Sequence, residues 1–295
     1  MAERPRVTPA QIRRRRMVAL TLVGLAVAAA VVAVAVALPH RHKAAAPTTT
    51  ALAPPPDPFR IVFPEGFTRA TMADRVAAVA KIAERKKGKP VALARASYVR
   101  ATRSLVIPCF TPHKQARVEG FLFPATYDFL AKTTSKQLVA QQVNAFCTNW
   151  KSVNMSYARS KNLTPYDVLT IASLIQGEAV VESERATIAA VIYNRLHLRM
   201  PLGIDAALRY ALNIPGTESI HESQLQNPTP YNLRLHTGLP PTPINNPGLA
   251  SMRAAAHPAK VDYLYFVAKP DKRHHFFTAS ATAFQHYLCA HGYGC

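Results

Sequence analysis

Residues 163–199 read LTPYDVLTIASLIQGEAVVESERATIAAVIYNRLHLR, and this segment carries the clearest prediction of the fold. Thr164 is a favourable helix N-cap, Pro165 suits the first helical position, and Asp167 suits the first turn. The apolar residues that follow cover most of the helix surface, which is typical of a helix buried in the centre of a domain. They are Val168, Leu169, Ile171, Ala172, Leu174 and Ile175.

A single acidic residue, Glu178, lies at the end of this apolar helix. A second helix is expected to start near Ser183, with Ile188, Val191, Ile192 and Leu196 at helical spacing. Burial at the end of a helix raises the pKa of a carboxyl group, because the charged form loses its hydration. A carboxylic acid that stays protonated near neutral pH can act as a general acid. The sequence therefore predicts Glu178 as a catalytic acid.

The composition of the 295 residues suits one medium domain with accessory segments, since 49% of them are hydrophobic. The formal net charge is +20, and residues 1–43 hold eight Lys or Arg side chains against one Glu. The rest of the chain has no dense basic run with interleaved aromatics, so nucleic acid is not expected as a partner. A cationic exterior instead suits an anionic cell-envelope polymer or a membrane surface.

The N-terminal region predicts a membrane anchor. Residues 17–38 form an uncharged run of 22 residues, long enough to span a bilayer, directly after Arg13–Arg16. The positive-inside rule then places residues 1–16 in the cytoplasm and everything after residue 38 outside the cell membrane. A cleaved signal peptide is the alternative. Residues 39–58, rich in Pro, Ala and Thr, are predicted to be a disordered linker.

The remaining chain predicts an α+β fold in two parts. Residues 59–115 contain a strand, a turn and a helix that resemble part of a LysM-like module, a fold that binds N-acetylated glycans; a plain packing subdomain is the alternative. Residues 116–295 are expected to form a mostly helical catalytic domain with a small sheet. Its further predicted elements are helices over 133–158 and 249–256, a strand over 262–267 paired with 272–278, and a helix from Ala281.

Two further acidic residues are candidates for a binding cleft. Glu119 stands beside an aromatic loop, VEGFLFPATYDF, and Asp205 stands among apolar neighbours. For Asp205 a helix N-cap is the favoured interpretation, and a cleft residue is the alternative. The Pro-rich segment 214–250 offers polar side chains of the kind that line a binding site for a polar ligand, namely Tyr231, Asn232, His236 and Asn245.

Four cysteines follow the predicted anchor, and an even number in an exported segment indicates disulfides. Three pairings are open, of which the local one joins Cys109 to Cys147 and Cys289 to Cys295. The cysteines and histidines lack the spacing of metal ligands, so no metal and no cofactor is expected.

Five stretches together resemble the endolytic murein transglycosylase family, the MltG or YceG-like proteins. They occur in the family's order and span well over half the chain. They are EGFLFPATY (119–127), LTIASLIQGEAVVESER (169–185), VIYNRL (191–196), YNLRLHTGLPPTPINNPG (231–248) and HPAKVDYLYFVA (257–268).

The resemblance implies that the chain cleaves the β-1,4 bond between MurNAc and GlcNAc in nascent peptidoglycan strands. It implies a lyase that leaves 1,6-anhydro-MurNAc ends, terminates glycan elongation at the membrane, and has peptidoglycan synthases as possible partners. Glu178 matches the second acid of the family's Glu-x-Glu pattern, whereas Gln176 occupies the first position. The motifs also carry over Asn194, Arg195, Tyr231, Asn232 and His257 as substrate-binding candidates. The structural alternatives are that Arg195 pairs with Glu182 or Glu184 and that His257 caps the helix before it.

One acid suffices for this chemistry, because the group that protonates the leaving oxygen can then accept a proton from the attacking MurNAc hydroxyl. Most glycoside hydrolases need two carboxylates. Two alternatives stay open at this point: a non-catalytic glycan-binding or scaffold protein of the cell envelope, and an ordinary glycoside hydrolase.

Overall fold

A computed structural model describes residues 10, 13, 14, 17, 18, 20–26, 58–103, 105–110 and 118–294. The described residues before 27 are helical, and most of the predicted anchor at 17–38 and all but the last residue of the predicted linker at 39–58 lie outside the described residues. Among the described residues, no helix combines the length and the apolar character needed to cross a membrane. Contacts group Pro56–Cys295 into one compact unit.

The compact unit has a helix-rich α+β fold, as the sequence predicts. Its strands form two separate antiparallel pairs rather than one small sheet. In chain order, the elements are β1 (Phe59–Val62), α1 (Arg69–Lys87), α2 (Arg95–Ala101), β2 (Thr126–Phe129), α3 (Ser135–Trp150), α4 (Ser156–Ser160), α5 (Pro165–Glu178), α6 (Arg185–His197), α7 (Asp205–Leu212), α8 (Glu222–Leu225), α9 (Leu249–Ala256), β3 (Tyr265–Ala268), β4 (His275–Thr278) and α10 (Ala281–Ala290).

Helix α5 lies at the centre of the compact unit, as predicted. The Thr164 hydroxyl accepts a hydrogen bond from the Asp167 backbone N–H, while the Asp167 carboxylate accepts one from the Thr164 N–H. This capping box satisfies donors that the helix start leaves free. Every residue from Val168 to Ile175 is buried, and α5 packs against α6, α7 and α9. Burial on all sides fixes both the position and the direction of the helix.

Two predicted helix boundaries differ from the structure. A 3₁₀ turn at Glu182–Glu184 precedes α6, which begins at Arg185 rather than near Ser183. The helix expected over 133–158 ends at Trp150, and a separate helix, α4, follows after a turn. The Ser152 hydroxyl bonds the Asn149 carbonyl in this turn. Short polar side chains of this kind compete with the helical hydrogen bonds and end a helix early.

The structure does not show a separate LysM-like subdomain at 59–115. Strand β1 pairs in antiparallel register with β2, so that Phe59 lies opposite Phe129. This pairing crosses the predicted domain boundary. Ile61 and Phe63 also belong to the same buried core as the residues of α5. The strand and helix at the start of the compact unit are therefore part of its single core.

The second strand pair confirms the predicted hairpin near the C-terminus. Strand β3 begins at Tyr265, later than the predicted 262, and it pairs with β4 from Tyr265–Thr278 to Ala268–His275. Asp271 accepts hydrogen bonds from the Arg273 and His274 N–H groups in the connecting turn. Helix α9 has its predicted bounds, and α10 begins at Ala281 as predicted.

A disulfide joins Cys109 to Cys147, which confirms the local pairing predicted for these two residues. It ties the segment after α2 to helix α3. Cys289 is also disulfide-bonded, whereas Cys295, its predicted partner, lies outside the described residues.

Replacing Thr164 by Ala removes the capping box at the start of α5. We expect the free energy of unfolding to fall by about 1 kcal/mol, the usual cost of losing an N-cap. Urea denaturation of the full chain measures this change. Thr217→Ala is the matched control, because Thr217 is exposed and has no side-chain hydrogen bond to the described residues. An equal loss of stability in both variants would contradict the role of the capping box.

Candidate active site

Four segments enclose a cleft of about 860 Å³ beside the end of α5. They are the start of α1, the loop that contains Glu119, helix α7 with the loop after it, and the Pro-rich segment that leads to α9. The lining residues are Gly66, Thr68, Arg69, Ala70, Thr71, Glu119, Ala206, Arg209, Tyr210, Ala211, Asn213, Ile214, Pro215, Gly216, Thr229, Tyr231, Ile244 and Asn245.

Glu178 is the last residue of α5 and is partly buried. The backbone N–H of Ala206, in the first turn of α7, lies near its carboxylate and lowers its pKa. Ala206 lines the cleft, whereas Glu178 itself is not among the lining residues. The Glu178 carboxyl group therefore lies next to the cleft wall rather than in it.

Gly177 explains how α5 and α7 come close enough for this contact. A Cβ atom added to Gly177 would lie 3.0 Å from the Ala206 Cβ, 3.6 Å from the Asn245 Nδ2 and 3.7 Å from the Ile244 Cδ1. All three neighbours line the cleft. A larger residue would separate the end of α5 from the first turn of α7, so the glycine lets the helices approach.

The pKa of Glu178 is raised to about 7. Burial is the main cause, and the negative charge of Asp205 adds to it; the Ala206 N–H and the Arg209 charge act in the opposite direction. The group can thus be protonated near neutral pH and can lose its proton there without a large cost.

Asp205 lies beside Glu178 but does not cap α7. The N-cap is Ile204, and Asp205 is the first helical residue. Its two carboxylate oxygens accept hydrogen bonds from Arg234 Nε at 2.6 Å and Nη2 at 2.8 Å. The cap interpretation of Asp205 is therefore wrong. The residue pairs with an arginine and influences Glu178 through its charge.

Glu119 is buried at 5% exposure and lines the cleft. Its carboxylate accepts hydrogen bonds from the Arg69 backbone N–H at 2.9 Å, the Tyr210 hydroxyl at 3.3 Å and the Asn246 Nδ2 at 2.8 Å. Burial raises the pKa of Glu119 to about 7, although the hydrogen bond and the charge of Arg69 act against it. Glu119 therefore joins the start of α1, helix α7 and the Pro-rich segment.

Asn246 is fully buried and completes this connection. Its Oδ1 accepts the N–H groups of Gly120 and Leu122, and its Nδ2 donates to the Phe67 carbonyl as well as to Glu119. All of these partners are more than 120 residues away in the chain. One amide side chain thus holds the walls of the cleft in place.

Gln176, at the family's first acidic position, faces the start of α9. Its Oε1 accepts hydrogen bonds from the Gly248 N–H at 3.1 Å and the Ser251 hydroxyl at 2.8 Å. A glutamate oxygen can accept the same two bonds. The glutamine therefore keeps the acceptor without adding a charge near Glu178.

Tyr231 lies in the cleft wall, where its ring packs against Tyr210 at 5.5 Å between centroids. Its hydroxyl shares a hydrogen bond with Thr242. Neighbouring Asn232 is fully buried, and its Nδ2 donates to the carbonyls of Leu225 and Asn227. Of this predicted pair, the structure brings only Tyr231 to the cleft.

Asn194, Arg195 and His257 do not line the cleft. Asn194 donates to the carbonyls of Val261 and Tyr263. Arg195 donates to those of Leu264, Pro201 and Leu202 and lies over the ring of Tyr265.

These two side chains therefore fasten α6 to the chain around the β3–β4 hairpin. Arg195 was alternatively expected to pair with Glu182 or Glu184, but Glu184 binds the ring and the N–H of His275 instead. His257 is exposed and is the C-cap residue of α9, as the structural alternative predicted.

Several cleft residues were not predicted from the sequence, among them Arg69, Arg209 and Tyr210. Arg69 follows an N-cap threonine, and the Arg209 guanidinium donates to the carbonyls of Pro215 and Glu218. Their positions depend on contacts between distant segments. Asn245, by contrast, is one of the polar residues of the Pro-rich segment that were expected to line a binding site, and it lines the cleft.

Comparisons with a family model, with curated relatives and with a solved structure all indicate the same family. A family model described as the YceG-like family matches residues 38–288. The endolytic murein transglycosylase of Bacillus subtilis is 40% identical over 156 residues, which are 52% of this chain and 42% of that protein. The protein of the same name from Streptococcus pneumoniae R6 is 39% identical over 156 residues, which are 52% of this chain and 28% of that protein. The chain thus spans less than half the length of either curated relative.

A solved structure has a similar fold. The crystal structure of a YceG-like protein from Listeria monocytogenes superimposes with a TM-score of 0.65 at 28% sequence identity. The match covers 77% of this chain and 75% of that one.

Glu178→Gln tests the burial of the carboxyl group through stability. The pKa rises from 4.5 to about 7 on folding, so the folded state holds this proton more tightly than the unfolded state. The contribution to stability is complete below pH 4.5 and is lost as the pH rises through about 7. The difference in unfolding free energy, variant minus wild type, should therefore increase from acidic to alkaline pH.

Denaturation of the full chain on both sides of this pH window measures the difference. Glu218→Gln is the matched control, because Glu218 is exposed and its carboxylate has no partner among the described residues. A difference that stays constant with pH for Glu178→Gln would contradict the raised pKa.

Proposed function

This chain belongs to the YceG-like family, and we propose that it is a lytic transglycosylase that cleaves peptidoglycan glycan strands with Glu178 as its acid. The substrate is the β-1,4 bond between MurNAc and GlcNAc, and the product ends in 1,6-anhydro-MurNAc. The names of the curated relatives, endolytic murein transglycosylases, support this activity.

One observation carries the proposal: the partly buried Glu178 carboxyl group lies next to Ala206 in the wall of a cleft, and its pKa is raised to about 7. A general acid works best when its pKa lies near the working pH. The cleft volume of about 860 Å³ falls in the range of ordinary ligand sites and suits a few sugar rings.

The reaction then follows from a single carboxyl group. Glu178 donates its proton to the GlcNAc O4 as the bond between that oxygen and the MurNAc C1 breaks. The resulting carboxylate accepts the proton of the MurNAc O6 hydroxyl as O6 forms a bond to C1. Glu178 regains its proton, and no water is consumed.

The other acidic groups in and around the cleft favour this route over hydrolysis. Glycoside hydrolases place a second carboxylate where it can activate water or attack the sugar. Glu119 accepts hydrogen bonds from three groups of the protein. Asp205 is engaged with Arg234, and Gln176 is neutral. Glu178 is thus the carboxyl group best placed to exchange protons with a substrate, which supports an intramolecular transfer.

The proposal extends to the cellular setting. Residues 17–38 serve as a single-pass anchor, with the N-terminus in the cytoplasm and the compact unit outside the cell membrane. At that location the enzyme acts on nascent strands, terminates their elongation and has access to peptidoglycan synthases. The arginines that precede residue 17 support this orientation.

Glu178→Gln should reduce the release of anhydro-ended fragments by about 10²- to 10⁴-fold, the usual contribution of a general acid. Mass spectrometry of digested glycan strands measures the products, because hydrolysis adds one water and transglycosylation adds none. Glu218→Gln should retain wild-type activity.

Three results would overturn the proposal. Full activity in Glu178→Gln would exclude the assigned acid. Reducing ends in place of anhydro ends would indicate a hydrolase. Strand binding without any cleavage by the wild type would indicate a non-catalytic envelope protein.

A further inference from the structure

Asn245 has an unused hydrogen-bond acceptor in the wall of the cleft. The residue is 5% exposed and lines the cleft. Its Oδ1 is one of two buried side-chain atoms that have no hydrogen-bond partner in the described part of the chain. The other is Nε of Arg185, a residue outside the cleft lining.

The orientation of the Asn245 amide is determined by helix α5. Nδ2 donates to the Ser173 carbonyl at 2.8 Å. The neighbouring Ile244 N–H donates to the Ser173 hydroxyl at 3.0 Å. Exchanging the two ends of the amide would bring its oxygen against the Ser173 carbonyl oxygen. The unpartnered atom is therefore an acceptor, and it requires a donor.

Asn245 lies close to the catalytic group proposed above. The point where a Gly177 Cβ would stand is 3.6 Å from Asn245 Nδ2 and 3.0 Å from the Ala206 Cβ. The backbone N–H of Ala206 lies near the Glu178 carboxylate. Asn245 and the first turn of α7 thus flank the residue that precedes the acid. A sugar that presents its glycosidic oxygen to Glu178 lies within reach of this part of the wall.

The chemistry of MurNAc leaves one donor that fits. In a strand, C1 and C4 of this ring form glycosidic bonds, and O3 carries the lactyl ether. The C6 hydroxyl gives up its proton during the reaction. The remaining donor is the N–H of the 2-acetamido group.

We propose that Asn245 Oδ1 accepts a hydrogen bond from the acetamido N–H of the MurNAc ring that is cleaved. This inference rests on the proposed function and adds a positioning residue to it. A buried acceptor without a donor destabilises the site, and the substrate N–H supplies the missing hydrogen bond. Less than 1 Å² of Oδ1 is exposed, so the side chain shifts slightly when the sugar enters.

Asn245→Asp provides a specificity test. The full chain is assayed at about pH 6, where an amino sugar carries an ammonium group. The substrates are glycan strands with intact acetamido groups and the same strands after chemical N-deacetylation. A carboxylate at position 245 pairs with the ammonium group of the deacetylated strand. We expect the ratio of kcat/KM, deacetylated over acetylated, to rise at least about tenfold relative to wild type.

Asn144→Asp is the matched control, because Asn144 is an exposed residue of α3 away from the cleft and undergoes the same change. It should leave the ratio unchanged. Asn245→Ala supplies a second measurement that does not depend on the aspartate variant. Its KM for acetylated strands should rise about tenfold with kcat within about threefold, since a hydrogen bond to the bound sugar is lost.

The outcomes separate the two proposals. A wild type that releases no anhydro ends from either strand overturns the proposed function. An active wild type whose substrate ratio is unchanged in Asn245→Asp, or whose KM is unchanged in Asn245→Ala, overturns the role of Asn245. A loss of kcat alone, equal for both strands, means that Asn245 only supports the fold and also overturns it.

Discussion

The contact between the end of α5 and the first turn of α7 is the constraint on which the site depends. Helix α5 is buried on all sides along Val168–Ile175, so its last residue has little freedom of position. Gly177 allows α7 to approach the end of α5, which brings the Ala206 N–H near the Glu178 carboxylate. Partial loss of water raises the pKa of this group to about 7. Glu178 can thus donate a proton near neutral pH mainly because packing buries its carboxyl group, and no second acid in direct contact is needed to raise its pKa.

Two carboxyl groups, Glu119 in the cleft wall and Glu178 next to it, have similar pKa values but different surroundings. Burial raises the pKa of both Glu119 and Glu178 to about 7. Glu119 accepts hydrogen bonds from three segments and, together with Asn246, holds the walls in place. Glu178 lies at a helix end, and the only backbone N–H group among the described residues that lowers its pKa is that of Ala206. The number of hydrogen bonds from the protein, more than the pKa, therefore separates the structural acid from the one available to a substrate.

The sequence predicted those features that depend on neighbouring residues. The capping box of Thr164, the burial of α5 and the position of Glu178 follow from local pattern. The pairing of β1 with β2 joins residues 64 to 70 positions apart, so the local strand, turn and helix within residues 59–115 suggested a separate LysM-like unit. Asn194 and Arg195 bind carbonyls of residues 261–264 and so do not line the cleft. The partners of Asn246 are equally remote in the chain.

The most direct test of this site is the pKa of Glu178 itself. Carbon-13 NMR of the Glu side-chain carboxyl carbons follows each group through a pH titration, and the Glu178 signal is identified by its loss in Glu178→Gln. Packing against α7 predicts a midpoint of about 7. A midpoint near 4.5, the value for an exposed glutamate, would show that the carboxyl group is fully hydrated and would contradict its role as the acid.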